Sequence, residues 1–477
     1  MKTTKKLTVL LTSSLLSFFG IGQGAIQGLQ NSNFSEEIPS CGSHKLLQHV
    51  HHGQHDLLTL SNQLMEQIAH IAQNQESRNY ENLLVIPVVF HVVHNNDQEN
   101  LADSVILNQL EILNDAFRRH NENASQTRPV FLDFVADTKI EFRLAELDPN
   151  GNPSSGITRT QTDITHFGGI LPFNANQTNE INTWVNDSLF YNWFRLTKTD
   201  LGGIDAWDVN RYINIWIGDL RIFEPLINNF EELVFIGLAT PPMDHPNWPA
   251  EITEPFADFE QGVIMHYVAL GDNNPNSFPN PYQNLNSPIK RGKVLIHEVG
   301  HYLGLRHIWG DGDCSLDDYI TDTPNATNHS NWGCNQNANA CVDNINGADL
   351  PNMVENYMDY SSGTCQNSFT LGQADLMRSV LEIYRPTLAE IISTVNLDYD
   401  QHLEHIAIAP NPFDEEIRLN MAPANLTYIV YNLAGIVVKK GITQSEVIQL
   451  SGLEQGTYIL ELSSGGLRIE RLKIIKL

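Results

Sequence analysis

The sequence predicts a chain of two folded parts. The first is an α/β domain with a twisted mixed sheet and one chemically dense helix; the second is a small all-β sandwich. Three observations predict this. Between residues 83 and 393, β-branched apolar runs alternate with patterns of helical period. One helical pattern, "HEVGHYLGLRH" from His297 to His307, gathers three histidines and a carboxylate. From residue 405 to 477 the texture changes to short strands separated by Gly and Asn turns, at a spacing that fits a sandwich.

In chain order, basic "MKTTKK", the apolar run "LTVLLTSSLLSFFGIG" and small residues in "GQGA" read as a signal peptide over residues 1–24. The run is too short and serine-interrupted for a bilayer span, no cysteine near the cut offers a lipid anchor, and no later stretch approaches about eighteen apolar residues. The expectation is an exported protein, secreted or attached at the cell surface, with no integral membrane span. Residues 25–82 are polar and loop-rich. Their "KLLQHVHHGQHD" reads as a solvated stretch rather than a metal store, and Leu57, Leu60, Leu64, Ile68 and Ile71 recur at helical spacing. The α/β domain then opens on a buried strand, "LLVIPVVFHVV", followed by an amphipathic helix, "ADSVILNQLEILNDAFRRHN". Further strands are "IEFRLAEL", "RYINIWIG", "VFIGLAT" and "GVIMHYVAL", and a last helix lies near "LGQADLMRSVLEIY". Asn- and Pro-rich "GDNNPNSFPNPYQNLNSP" reads as a surface loop. Residues 394–404 form a linker, and residues 405–477 form the sandwich.

A chain of 477 residues exceeds one ordinary core. Its net charge of −28 excludes nucleic acid as a partner, because nothing would neutralise phosphates. Export makes disulfides the expected state of most of the five cysteines. Cys314, Cys334, Cys341 and Cys365 cluster after the dense helix, where four cysteines allow three pairings. Cys41 is left over far upstream and needs a use of its own.

The dense helix carries the chemistry. Residues four apart share a helix face, so His297 and His301 can offer two imidazole nitrogens to one metal ion. Gly304 permits a sharp turn that returns His307 as a third ligand. Three protein ligands leave one position open for water, the arrangement of catalytic rather than structural zinc. Glu298, beside the first ligand, is placed to take a proton from that water as general base. A bare H-E-x-x-H occurs by chance in long chains. The extended form with Gly304 and His307 outweighs the alternative of a core helix that happens to hold histidines.

Downstream, "ENYMDYSSGTC" resembles the Met-turn of the metzincin metalloproteases. That likeness makes Met358 the apolar floor under the histidines and Tyr360 a stabiliser of the oxyanion. A methionine alone more often just fills a core. With the zinc motif, "NYMDY", "GDC" after the third histidine, "DYITDTP", "FTLGQ" and the opening "IPVVFHVV", residues 83–390 resemble the pappalysin family of metzincins, in particular its ulilysin-like branch. The resemblance implies a metzincin-like catalytic domain over 83–393 and a zinc endopeptidase acting on protein or peptide substrates. It implies disulfides Cys314–Cys341 and Cys334–Cys365. It implies calcium on "DYITDTP" through Asp318, Thr321 and Thr323, set against a merely solvated acidic loop. Because family precursors can hold a prosegment cysteine on the zinc, "IPSCGSH" makes residues 25–82 a prosegment with Cys41 as latency switch.

One departure stands out. Family members that cut beside basic residues carry acids just after the Met-turn tyrosine, whereas this chain has Ser361, Ser362, Gly363 and Thr364. The expected preference is therefore apolar or broad. The C-terminal "APNPF", "GTYILEL" and "RLKIIKL" resemble the sorting domain of proteins exported by the type IX pathway, which implies outer-membrane secretion machinery as a partner. A generic adhesion sandwich is the alternative for that domain. For the whole chain the rivals are a non-catalytic surface-binding protein with a vestigial metal site and a zinc hydrolase acting on something other than peptides.

Overall fold

The computed structural model describes residues 40–43, 63, 66–67, 69–70, 82–169, 192–224, 230–232, 235–242, 260–277, 291–327, 330, 332–393, 408–419, 427–432, 437–443, 447–464 and 467–477. The signal peptide, the histidine-rich stretch, the apolar positions of the helix expected near Leu64, the loop residues 278–288 and the linker 394–404 lie outside them. The chain divides into two compact units, one holding most of the chain up to residue 390 and the other holding residues 391–477 with residues 80–83 and 102–108.

The first unit is a sheet with helices. Its strands are β1 (Ser40–Cys41), β2 (Asn82–His94), β3 (Ile140–Leu144), β4 (Ile157–Gln161), β5 (Ile213–Gly218), β6 (Phe235–Ala239) and β7 (Val263–His266). They run in the order β1-β6-β7-β5-β2, and β3 and β4 pair with successive halves of the far edge of β2. The sheet has an eighth strand, Glu390–Ser393, which also pairs with β2; among the seven named strands all pairings are parallel except β6 with β7, which is antiparallel. Every residue of β5 and β7 is buried, as expected of strands covered on both faces, and this explains their continuous apolar runs. β4, "ITRTQ", has no such run and is largely accessible, so hydrophobic pattern alone does not find it. The run "GVIMHYVAL" is strand only from Val263 to His266 and then becomes a 3-10 turn.

Helix α1 spans Asp103–Phe117, and α2 spans Lys293–Tyr302. Val294 through Tyr302 are all buried, so α2 is a core helix packed on β6 and β7, and its histidines and glutamate are interior groups. Helix α3 spans Leu371–Ser379 and begins with a capping box: Thr370 Oγ1 accepts from the Gln373 backbone N–H, and Gln373 Oε1 accepts from the Thr370 backbone N–H. The Gln373 amide also pairs with the amide of Asn356 at 2.9 and 3.1 Å, and Asn356 Oδ1 accepts from the Met358 N–H at 2.9 Å. Through this pair the start of α3 fixes the turn carrying Met358. Gln373→Ala leaves Asn356 buried without those partners. A loss of about 1–3 kcal/mol in stability is expected, read as a lower thermal unfolding midpoint. Disulfides Cys314–Cys341 and Cys334–Cys365 tie down the loops between α2 and α3, and Cys41 is free and buried.

The second unit is all-β. β8 (Ile408–Ala409), β9 (Glu416–Leu419), β10 (Thr427–Asn432), β11 (Val437–Ile442), β12 (Val447–Gln449), β13 (Gly456–Ser464) and β14 (Leu467–Lys476) form two antiparallel sheets, β8-β9-β12 and β11-β10-β13-β14. Phe413, Ile417, Leu419, Val430, Leu460 and Ile474 are fully buried in the core they share. Among the described residues, no helix is long and apolar enough to cross a membrane.

Candidate metal centre

Helix α2 brings His297 and His301 to one face. It ends at Leu303, and Gly304, at φ +97°, makes the turn that a side chain would strain. His307 returns to the same point. The Nε2 atoms lie 3.1 Å apart for His297 and His301, 3.1 Å for His301 and His307, and 3.2 Å for His297 and His307. These are not hydrogen bonds. His297 Nδ1 donates to the Tyr357 carbonyl and His301 Nδ1 to the Leu305 carbonyl, each at 2.8 Å, while His307 Nδ1 donates to Asp311 Oδ1 at 2.5 Å. A carbonyl oxygen can only accept, so the protons of these rings sit on Nδ1. Burial lowers His297 to about 3 and holds His301 well below its ordinary value, which keeps both rings neutral. The lone pairs of His297 and His301 therefore point at the place where His307 Nε2 also converges, an arrangement that suits a bound cation. Tetrahedral zinc, with Zn–N bonds of about 2.0–2.1 Å, places its ligand nitrogens about 3.3 Å apart, so the residues present fit zinc. Cys41 Sγ joins the three imidazole nitrogens within a 4.8 Å cluster.

Glu298 is fully buried beside this cluster. Its Oε2 accepts from Cys41 Sγ at 3.2 Å and from Ser43 Oγ at 3.1 Å, and its Oε1 has no hydrogen-bond partner among the described residues. Burial pushes this carboxyl up to about 8, against the pull of those two donors. Burial and the neighbouring Glu298 also push the Cys41 thiol up. The segment bearing Cys41 and Ser43 is held as a strand: Ser40 and Cys41 pair in parallel with β6, the Gly42 N–H donates to the Gly237 carbonyl at 2.8 Å, and Ser43 Oγ accepts from the Ala239 N–H at 2.8 Å.

The floor and walls come from the Met-turn region. Met358 is fully buried and packs on the bare backbone of Gly300, where a Cβ would meet Met358 Sδ at 2.5 Å. Tyr360 faces His297 and His307, its ring centre 5.4 and 4.9 Å from theirs, and its hydroxyl donates to the Cys41 carbonyl at 3.3 Å. Trp309 stacks on His307 at 4.2 Å, and Trp332 stacks on Tyr360 at 5.8 Å.

Asp318 and Thr323 lie together elsewhere: Thr323 Oγ1 approaches both Asp318 oxygens at 2.8 and 2.9 Å, while the side chain of Thr321 is exposed. Burial, then Asp317, lifts the Asp318 carboxyl. Sequence reasoning missed Asp311, Ser43 and Trp309 as parts of the centre. Asp311 carries a signal in retrospect, because a carboxylate four residues after a ligand histidine can orient it. Ser43 carries none, since only the chain's path places it on Glu298.

Three converging imidazoles, an adjacent carboxylate, and a methionine and a tyrosine from one turn define a metzincin-type metal centre. Residues 278–382 match the model of a family described as pregnancy-associated plasma protein-A, and residues 407–476 match a secretion system C-terminal sorting domain. Extracellular metalloprotease 1 of Coccidioides posadasii is 38% identical over 99 residues, which cover 21% of this chain and 34% of the relative. The chain thus spans about a third of the length of that curated relative. Mirolysin, solved in complex with compound 9, is 34% identical, with 64% of this chain and 95% of mirolysin covered and a TM-score of 0.48. A promirolysin mutant of Tannerella forsythia is 29% identical, with 73% and 95% covered and a TM-score of 0.52. By these sequence matches the chain belongs to the pappalysin family of metalloproteases, and it carries a type IX sorting domain. It is a secreted or cell-surface protein.

Proposed function

We propose that this chain is a latent precursor of a zinc-dependent metalloendopeptidase that hydrolyses protein or peptide substrates. The observation that carries this reading is the convergence of three imidazole Nε2 atoms beside a buried, half-satisfied carboxylate. His297, His301 and His307 hold the metal. Zinc bound there acidifies water and polarises the scissile carbonyl. Glu298 takes the proton from the attacking water and passes it to the leaving amine. Tyr360 donates its hydroxyl proton toward the oxygen that gains charge; burial keeps that phenol protonated. Met358 seats the turn from which Tyr357 and Tyr360 reach the histidines.

Latency is assigned to Cys41, whose sulfur lies close enough to the three imidazole nitrogens that it would serve as a further ligand of the bound metal, while Ser43 and the thiol engage Glu298. The relative titled promirolysin supports a precursor form. On this reading residues 1–24 are removed on export, removal of residues 25–82 frees the centre formed within residues 83–393, and residues 405–477 beyond the linker 394–404 engage the secretion machinery. Calcium held by Asp318, Thr321 and Thr323 would offset the buried negative charge at Asp318.

The test is cleavage of a mixed protein substrate by processed protein, with a zinc chelator and Glu298→Ala as controls. Cleavage lost in both controls is expected. No cleavage by protein shown to hold zinc and to lack the prosegment would overturn the reading in favour of a binding protein.

A further inference from the structure

A cavity opens directly against the centre. Lys293, Val294, His297, Glu298, Tyr360 and Gln366 are among its lining residues, so it adjoins the converging histidines and the carboxylate. Val294 supplies an apolar wall. Lys293, the first residue of α2, supplies the one cationic side chain of the lining. Its Nζ donates to the Gln366 carbonyl and stands 5.8 Å from the centre of the Tyr357 ring. A neutral acceptor and a ring face leave its charge without a counter-charge. No carboxylate forms an ion pair with Lys293 among the described residues, and the charged group that bears on it is another cation, Arg291. Burial, with Arg291, lowers this ammonium to about 7, the mark of a positive charge stripped of water and not compensated.

The remaining acid in the lining does not fill that role. Both oxygens of Asp359 are already engaged: Oδ1 accepts from the Ser330 and Tyr360 N–H groups at 3.1 and 2.9 Å, and Oδ2 accepts from the Ser330 hydroxyl at 2.5 Å. The stretch after Tyr360, where acids would answer a basic substrate, is Ser361, Ser362, Gly363 and Thr364.

We infer that Lys293 makes this a pocket for acidic side chains, so that the enzyme prefers Asp or Glu at one of the two positions flanking the scissile bond. This deepens the proposed function and rests on it. An entering carboxylate meets a desolvated ammonium and forms a charge-assisted hydrogen bond, whereas a basic side chain meets like charge. The neutral amide of Gln fits the same volume without the charge pairing, and a buried group built to meet a charge discriminates strongly against its absence.

The test uses the processed enzyme on a peptide library and then on a matched pair of peptides that differ only as Glu or Gln at the enriched position. The expected results are enrichment of Asp and Glu at one flanking position and a kcat/KM ratio for Glu over Gln of about tenfold or more. In Lys293→Met the ratio should fall to near one, and in Lys293→Arg it should stay well above one. If Lys293 only braced the segment at Gln366, Lys293→Met would slow both peptides alike and keep the ratio, which would overturn the inference. Wild-type cleavage without acidic enrichment would overturn it while leaving the protease reading intact. A processed, zinc-loaded enzyme that cuts nothing would overturn both.

Discussion

Glu298→Ala is expected to lower kcat/KM of the processed protein for a peptide substrate by about 10²–10⁴-fold, the range over which a positioned general base contributes. The loss should fall on kcat, because Glu298 moves a proton and does not hold the substrate. The metal should stay bound: the three imidazoles keep their orienting partners at Tyr357, Leu305 and Asp311, none of which involves Glu298. Folding should survive as well. Glu298 is a fully buried carboxyl whose Oε1 is unpartnered among the described residues, so its removal takes away a desolvated group rather than breaking a network. Zinc content by mass spectrometry and a thermal melt, measured beside the kinetics, separate loss of chemistry from loss of structure. Activity retained within about tenfold would remove Glu298 from the mechanism.

Cys41→Ala should have the opposite sign, and only in the unprocessed chain. On the proposed reading the substitution would remove a metal ligand, and it removes the thiol's hydrogen bond to Glu298, while the backbone pairing of Ser40 to Gly42 with β6 remains. Loss of one hydrogen bond costs about 0.5–1.5 kcal/mol, and loss of the ligand adds to that. At about 1.4 kcal/mol per factor of ten, the open population should rise by roughly 10²-fold. The measurement is the initial rate on a small fluorogenic peptide, read before prosegment cleavage is visible. Ser43→Ala should give a smaller rise, about tenfold, because it removes one contact to Glu298 and no ligand. A Cys41→Ala precursor as silent as the parent, while the processed enzyme is active, would exclude the thiol from latency.

The centre was legible where identity at fixed spacing dictates chemistry. His297, His301 and Glu298 are set by helical period, and Gly304 and His307 by a turn that needs positive φ. The apolar runs of β2, β5 and β7 were legible because burial on both faces leaves little choice of residue. What stayed hidden depends on contacts between distant segments. Ser43 meets Glu298 across 255 positions, and nothing in "CGSH" specifies that meeting. β4 is polar and partly exposed, so it is a strand by pairing with β2 rather than by its own composition. Nothing in the sequence around Lys293 marks it; only the folded chain puts its ammonium against the Gln366 carbonyl in a cavity beside His297.

The ribbon of Ser40 to Gly42 has a second consequence, independent of chemistry. It covers β6, the outermost of the remaining strands in its sheet, whose bare N–H and C=O groups would otherwise invite a neighbouring chain to add on. A capped edge leaves fewer such groups open to self-association. Uncapping then creates, in a single event, both a place for an extended peptide to align and a surface prone to stick to itself. Protein from which the cap has been removed should therefore be the more aggregation-prone form, read by light scattering beside the intact chain.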